Sequence, residues 1–209
     1  QINNSLAIVG ESGSGKSLTL KSILGLLPQN LSYTFDYSCE FELIKGQTLA
    51  YIPQNPFTAL SPLTKIKNQF FGDINFFVYL LEFLGIGNFV LNRYPSELSG
   101  GQLQRVIIAM SLTENTKMIL LDEPTTALDS DTKIGVIELL QKLKQKLNFL
   151  LLFVTHEINI IKNLCNDTIV LNRGKIVEFG NTINLLENPS HEYTKKLINS
   201  SFTNREFRR

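Results

Sequence analysis

A chain of 209 residues, 43% hydrophobic and 19% charged, has an ordinary globular composition and length for one large domain or a domain with a subdomain. Its formal net charge of +1 offers no strong field for nucleic acid or an anionic membrane surface. Cys39 and Cys165 form neither a metal spacing nor a disulfide framework, so they read as free thiols in a reducing compartment.

No run of about 18 apolar residues is present to span a bilayer, and no basic-then-apolar signal peptide opens the chain. The apolar stretch 76–84 is short and interrupted by Glu82. The chain opens on Gln1 rather than Met, which leads us to expect a missing N-terminal piece.

In chain order, residues 5–9 read as a buried strand running into a glycine-rich loop. A helix is expected over 17–27, stopped by Pro28. Strands are expected over 37–44 and 48–52, around the turn Lys45-Gly46. Pro53, Pro56 and Pro62 break the next stretch into loop. Residues 70–91 are aromatic-rich and helical in pattern, split by Gly85 and Gly87. A helix follows over 99–113 with two glycines at its start. The continuous apolar runs 117–121, 149–154 and 168–171 suit parallel strands buried on both faces, with helices over 131–146 and 157–164 between them. The alternation predicts an α/β fold: a mostly parallel sheet with flanking helices and a small antiparallel β part. Residues 1–62 and 99–209 would form one core, and 63–98 an inserted helical subdomain.

Gly10-Glu11-Ser12-Gly13-Ser14-Gly15-Lys16-Ser17 matches the phosphate-loop pattern, with a strand before it and a helix after. Glycines let successive backbone N–H groups converge on phosphate oxygens at a helix N-terminus that favours anions. The expected nucleotide-binding set runs through Gly10, Glu11, Ser12, Gly13, Ser14, Gly15, Lys16, Ser17 and Leu18. Lys16 would reach the β- and γ-phosphates, and the Ser17 hydroxyl would ligate Mg²⁺.

Asp122 and Glu123 close an apolar strand. One carboxylate there can hold Mg²⁺ and the other can orient or deprotonate the attacking water. Ser99 is a natural N-cap, and Gly100 and Gly101 expose helix amides to an anion. This is a second anion site, and one nucleotide has no need of both in one chain.

Leu98-Ser99-Gly100-Gly101-Gln102, between the phosphate loop and Met118-Ile119-Leu120-Leu121-Asp122-Glu123, resembles the nucleotide-binding subunit of an ABC transporter. The resemblance covers almost the whole chain. It implies a phosphate-loop NTPase that binds ATP and Mg²⁺ and hydrolyses ATP. Pro124-Thr125-Thr126-Ala127-Leu128-Asp129 resembles the stretch after the family's Walker B strand, which makes Glu123 the catalytic base and places Asp129 at a dimer interface. His156 matches the switch histidine that contacts the γ-phosphate, and Gln54 the glutamine that ligates Mg²⁺ and links the helical subdomain to the nucleotide. Ser99, Gly100, Gly101 and Gln102 would close on the nucleotide of a second ABC ATPase subunit, identical or merely related.

Two details resemble the peptide and nickel importer branch: Gln54-Asn55-Pro56-Phe57-Thr58-Ala59-Leu60-Ser61-Pro62, and Pro189-Ser190-His191-Glu192-Tyr193-Thr194. That branch implies two transmembrane permease subunits and, indirectly, a periplasmic or extracellular substrate-binding protein. It implies a peripheral place on the cytoplasmic face of the inner (plasma) membrane and no nucleic-acid partner. The absence of a terminal cysteine cluster tilts the expectation toward nickel or another metal over peptides. The alternative is a soluble ABC-type ATPase not coupled to transport, which would carry a tandem cassette or a long coiled-coil insertion. A regulatory module without turnover would need a substituted Glu123 or His156. The family's adenine-stacking aromatic would precede the phosphate loop, where this chain has nine residues and no aromatic. ATP is therefore expected to bind mainly through its phosphates and Mg²⁺, and equal, tight affinity in a chain extended upstream would point instead to Tyr33 or Tyr37 as the adenine contact.

Overall fold

Strand β1 (Ser5–Val9) is buried along its whole length, as its unbroken apolar run requires. The structure is a computed structural model describing residues 2, 4–34, 36–126 and 128–206, with side chains up to residue 200. Gln1, Asn3, Phe35, Ala127 and residues 207–209 lie outside the described residues.

After β1 come α1 (Lys16–Ile23), β2 (Leu49–Ile52), α2 (Ile74–Phe83), α3 (Gly100–Ser111), β3 (Met118–Asp122) and α4 (Ser130–Leu147). Then follow β4 (Leu150–Thr155), β5 (Asp167–Asn172), β6 (Lys175–Asn181), α5 (Thr182–Glu187) and α6 (Glu192–Glu206). The α/β class is as expected, with mostly parallel strands and flanking helices.

The described chain forms two compact units, residues 1–40 with 150–209, and residues 41–149. In the first unit β1 pairs in parallel with β4 on one side and β5 on the other, and β6 pairs antiparallel with β5. Ala7, Val9, Leu151, Phe153 and Val154 are fully buried in its core. In the second unit β2 and β3 run parallel, with Ile52 level with Leu121. Helix α3 packs on β2 and on α2, and Arg105 Nη1 donates to the Leu84 carbonyl at 3.2 Å where α2 ends.

Four expectations change. Residues 37–44 form no strand, because the Thr48 hydroxyl donates to the Glu42 carbonyl and accepts the Ile44 N–H at 2.9 Å. A side chain has taken the backbone groups a ladder needs. The antiparallel β part is instead the β5–β6 hairpin, turned by Arg173 and Gly174 at φ 49° and 75°, the left-handed pair a tight hairpin demands.

Residues 157–164 form only a 3₁₀ turn at Ile158–Ile160. The buried Ile158, Ile161 and Leu164 recur every third residue, which suits 3₁₀ rather than α geometry. Helix α1 ends at Ile23, not residue 27, because Gly25 turns left-handed at φ 60° and the Leu26 N–H returns to the Lys21 carbonyl at 2.8 Å. The 70–91 pattern resolves into α2, capped by Asp73, and a 3₁₀ turn at Asn88–Asn92.

Candidate functional site

Val9 at the end of β1 lies level with Thr155 at the end of β4, so Gly10 and His156 leave the first unit's sheet from adjacent carboxyl ends. That edge is where ligands bind in open α/β sheets. A Cβ on Gly10 would stand 2.2 Å from the Leu171 carbonyl oxygen and 2.8 Å from Ser14 Oγ, so only glycine fits. Gly13 and Gly15 are left-handed, at φ 80° and 106°.

The Ser14 N–H donates to the Glu11 carbonyl at 3.2 Å, and the Ser14 carbonyl accepts the Gly174 N–H at 2.9 Å. Lys16 is 4% exposed, and its Nζ donates to the carbonyls of Gly10 (2.8 Å) and Glu11 (3.0 Å). Ser17 is half-buried beside it, while Ser12, Gly13 and Leu18 face outward. Tyr33 and Tyr37 are exposed in irregular chain.

This loop fits a phosphate group. The first turn of α1 carries no acid, and its leading amides lack intrahelical acceptors. The buried Ser14 Oγ has no partner among the described residues.

The second unit assembles the acids. Gln54 Nε2 and Thr126 Oγ1 both donate to Glu123 Oε2, at 3.3 and 3.1 Å. Glu123 is 9% exposed and left-handed at φ 46°, a conformation that strains any residue with a Cβ. Burial pushes the Tyr51 phenol up to about 12, and the charge of Asp122 and a hydrogen bond to its carboxylate add to the shift. Buried carboxylates closing a strand, with one glutamine amide reaching in, provide acceptors for a divalent cation and a base for a water molecule.

Ser99 and Gln102 form a capping box on α3: Ser99 Oγ accepts the Gln102 N–H at 3.3 Å, and Gln102 Oε1 accepts the Ser99 N–H at 3.0 Å. The hydroxyl accepts in this box and keeps its own proton to donate. A glycine in a helix costs about 1 kcal/mol against alanine, and α3 begins with two. Burying Leu103, Val106 and Ile108, at about 1.5–3 kcal/mol each, outweighs that cost.

A Cβ on Gly101 would meet Thr132 Cγ2 at 2.7 Å. Thr132 in turn donates to Asp129 through its hydroxyl (2.7 Å) and its N–H (3.0 Å). Ser99, Gly100, Gly101, Gln102 and Asp129 therefore belong to one surface of the second unit.

Sequence reasoning missed Tyr51, Thr126, Thr132 and Tyr193. Thr126 and Thr132 sit three residues after Glu123 and Asp129, the spacing at which a hydroxyl returns to a carboxylate. Tyr51 left no local signal, and Tyr193, though part of the element 189–194, gave no hint that it bonds to Glu11 across 182 positions of sequence.

The first unit thus carries a phosphate loop followed by a helix, the mark of a phosphate-loop NTPase. Residues 2–126 match the family model "ABC transporter". The chain belongs to the ABC transporter family and carries that family's ATPase domain. It is 35% identical to the oligopeptide transport ATP-binding protein OppD of Bacillus subtilis (strain 168), with 93% of this chain and 62% of that one covered. It is 32% identical to the metal-staphylopine import system ATP-binding protein CntD of Staphylococcus aureus (strain Mu50 / ATCC 700699), with 93% and 81% covered. An uncharacterized ABC transporter ATP-binding protein, YejF of Escherichia coli (strain K12), is 35% identical with 96% and 43% covered. The chain therefore spans about half the length of two of these relatives.

Among solved structures it resembles an inward-facing putative metal-chelate type ABC transporter, with a TM-score of 0.69, 30% identity and 94% and 79% of the two chains covered. It also resembles the ATP-binding cassette MJ0796, solved as a post-hydrolysis dimer bound to ADP and Pi, with a TM-score of 0.66, 25% identity and 87% of each chain covered. No helix among the described residues is long and apolar enough to cross a membrane.

Proposed function

We propose that this chain is the ATP-binding subunit of an ABC importer of peptides or nickel, hydrolysing ATP in a head-to-tail dimer beside two permease subunits. Gly10 to Leu18 bind the phosphates, with Lys16 neutralising their charge. Ser17, Gln54 and Asp122 hold Mg²⁺, which when bound offsets charge on the phosphate oxygens. Glu123, with Gln54 and Thr126 hydrogen-bonded to its carboxylate, takes a proton from the attacking water. His156, leaving the sheet beside Gly10, contacts the γ-phosphate.

The observation that carries the dimer is the duplication of anion-facing helix starts. Helix α1 of the first unit begins in a phosphate loop, and α3 of the second presents Ser99, Gly100 and Gly101 beside Asp129. The second start serves the partner's nucleotide. Residues 63–98 act as a helical subdomain facing the permease, and the subunit sits on the cytoplasmic face of the membrane. Peptide or nickel cargo follows from the branch-like elements around Gln54 and His191 and from similarity to the OppD and CntD proteins.

Mixing tests the composite site. A Lys16→Ala chain and a Ser99→Ala chain, each inactive alone, regain hydrolysis when combined, because one intact site forms in the mixed dimer. Activity per subunit also rises with protein concentration. Strict proportionality to concentration, with no rescue on mixing, rules out the dimeric site.

A further inference from the structure

Tyr193 lies in the element 189–194, which the hydrolytic scheme leaves without a task. Its hydroxyl accepts the Glu11 N–H at 3.0 Å, across 182 positions of sequence. The other side of the same residue is also tied: the Glu11 carbonyl accepts Lys16 Nζ at 3.0 Å and the Ser14 N–H at 3.2 Å. Glu11 is therefore held between a C-terminal side chain and the lysine of the phosphate loop.

Tyr193 is itself firmly placed. The Glu178 carboxylate on β6 accepts the N–H groups of Ser190 (2.8 Å) and His191 (3.0 Å). His191 Nδ1 accepts the Tyr193 N–H at 3.1 Å. Thr194, Leu197 and Ile198 are buried, and α6 packs on the turn Ile158–Ile160 just after His156. The loop, by contrast, contains Gly10, Gly13 and Gly15, and glycines lose the most conformational freedom on ordering. A bond from a rigid helix to the loop's entry peptide lowers the cost of holding the phosphate-ready shape.

We infer that Tyr193 is a positioning residue for the phosphate loop, fixing the Glu11 peptide and with it a carbonyl that orients Lys16. The inference rests on the reading of Gly10 to Leu18 as the nucleotide site.

The test uses the full chain carrying Tyr193→Phe, which keeps the ring and removes the hydroxyl. One measurement is ATP–Mg²⁺ affinity by titration, another is hydrogen exchange at the Glu11 amide, and the third is the melting temperature. We expect Glu11 exchange to speed up and the ATP Kd to rise about 2- to 10-fold, the range of one hydrogen bond, with turnover of bound ATP and melting temperature little changed. Glu178→Gln, which loosens the anchor of 190–191, shifts both readings the same way by less. Unchanged Glu11 exchange and ATP affinity in both variants overturn the inference. Lys16→Ala in the same titration separates the readings: undiminished ATP binding there sinks the nucleotide site itself, whereas lost binding there with an unaffected Tyr193→Phe sinks only the role of Tyr193.

Discussion

Gln54 Nε2 donates to Glu123 Oε2 at 3.3 Å although 69 positions separate them in sequence. Each lies two residues beyond a paired strand position, Ile52 opposite Leu121, so the parallel register of β2 and β3 delivers both to one edge. Thr126 completes the grip on the same oxygen. These two bonds orient the carboxylate proposed as the base, and its substitution should affect hydrolysis more than binding.

Replacing Glu123 with Gln keeps an oxygen able to accept from Gln54 and Thr126 but removes the proposed base. General-base catalysis contributes about 10²–10⁴ in rate. Steady-state phosphate release should fall at least 100-fold while ATP binding survives. Near-normal release would show that another group activates the water.

The left-handed backbone of Glu123 is a separate, stability-level matter. Glu123→Gly and Glu123→Ala both lose the carboxylate, but only alanine retains the strain of a Cβ at φ 46°. After allowing for the greater freedom of glycine in the unfolded chain, the glycine variant should be more stable by about 1 kcal/mol. Denaturant midpoints decide it: an alanine variant at least as stable contradicts a strained position.

Gly10→Ala should be costlier than Gly13→Ala. The new methyl at position 10 would meet the Leu171 carbonyl oxygen at 2.2 Å, and backbone cannot swing aside, whereas nothing lies within 4 Å at position 13. Overpacking of this kind costs about 1–3 kcal/mol. The strain of a Cβ at the positive φ of position 13 is about 1–2 kcal/mol, offset in part by the smaller freedom of alanine in the unfolded chain. Thermal unfolding of the two variants gives the order, and a more stable Gly10→Ala chain would mean the loop and β5 are not in contact.

Asp129 links stability to pH. Hydrogen bonds from the Thr132 hydroxyl, first, and the Thr132 N–H hold its carboxyl below the ordinary 3.8. A carboxyl depressed in the folded state stabilises above its unfolded value and loses that contribution as pH falls from 3.8 through the folded pKa. Thr132→Val should raise the Asp129 pKa toward 3.8 and move acid unfolding to slightly higher pH. Carboxyl chemical shifts followed by NMR check the first, and circular dichroism the second. An Asp129 titration unmoved by Thr132→Val would show that other groups set its charge.

The strands at 5–9, 117–121, 149–154 and 168–171 were legible as apolar runs, whereas 48–52 was expected beside the turn Lys45-Gly46 and pairs in parallel with β3 rather than with 37–44. Gly10 to Ser17 was legible because Gly10 lies against the Leu171 carbonyl and Gly13 and Gly15 are left-handed, and Leu98 to Gln102 because two glycines follow an N-cap serine, so each leaves a pattern at fixed spacing. The capping box of Ser99 and Gln102 is equally local, contained within four residues. Residues 37–44 and 157–164 misled for the opposite reason. Their apolar content suits a strand or a helix, but the Thr48 hydroxyl in one case and three-residue burial in the other redirected the backbone. Strand β6 went unforeseen because its edge position leaves Ile176 and Phe179 exposed and its pattern broken. What only the tertiary structure decided are the long-range bonds: Gln54 to Glu123, Tyr51 to Asp122, and Tyr193 to Glu11. Local sequence records what a residue needs from its nearest neighbours along the chain. A hydrogen bond across 182 positions depends on where β1 and α6 come to rest, and strand register and helix packing settle that.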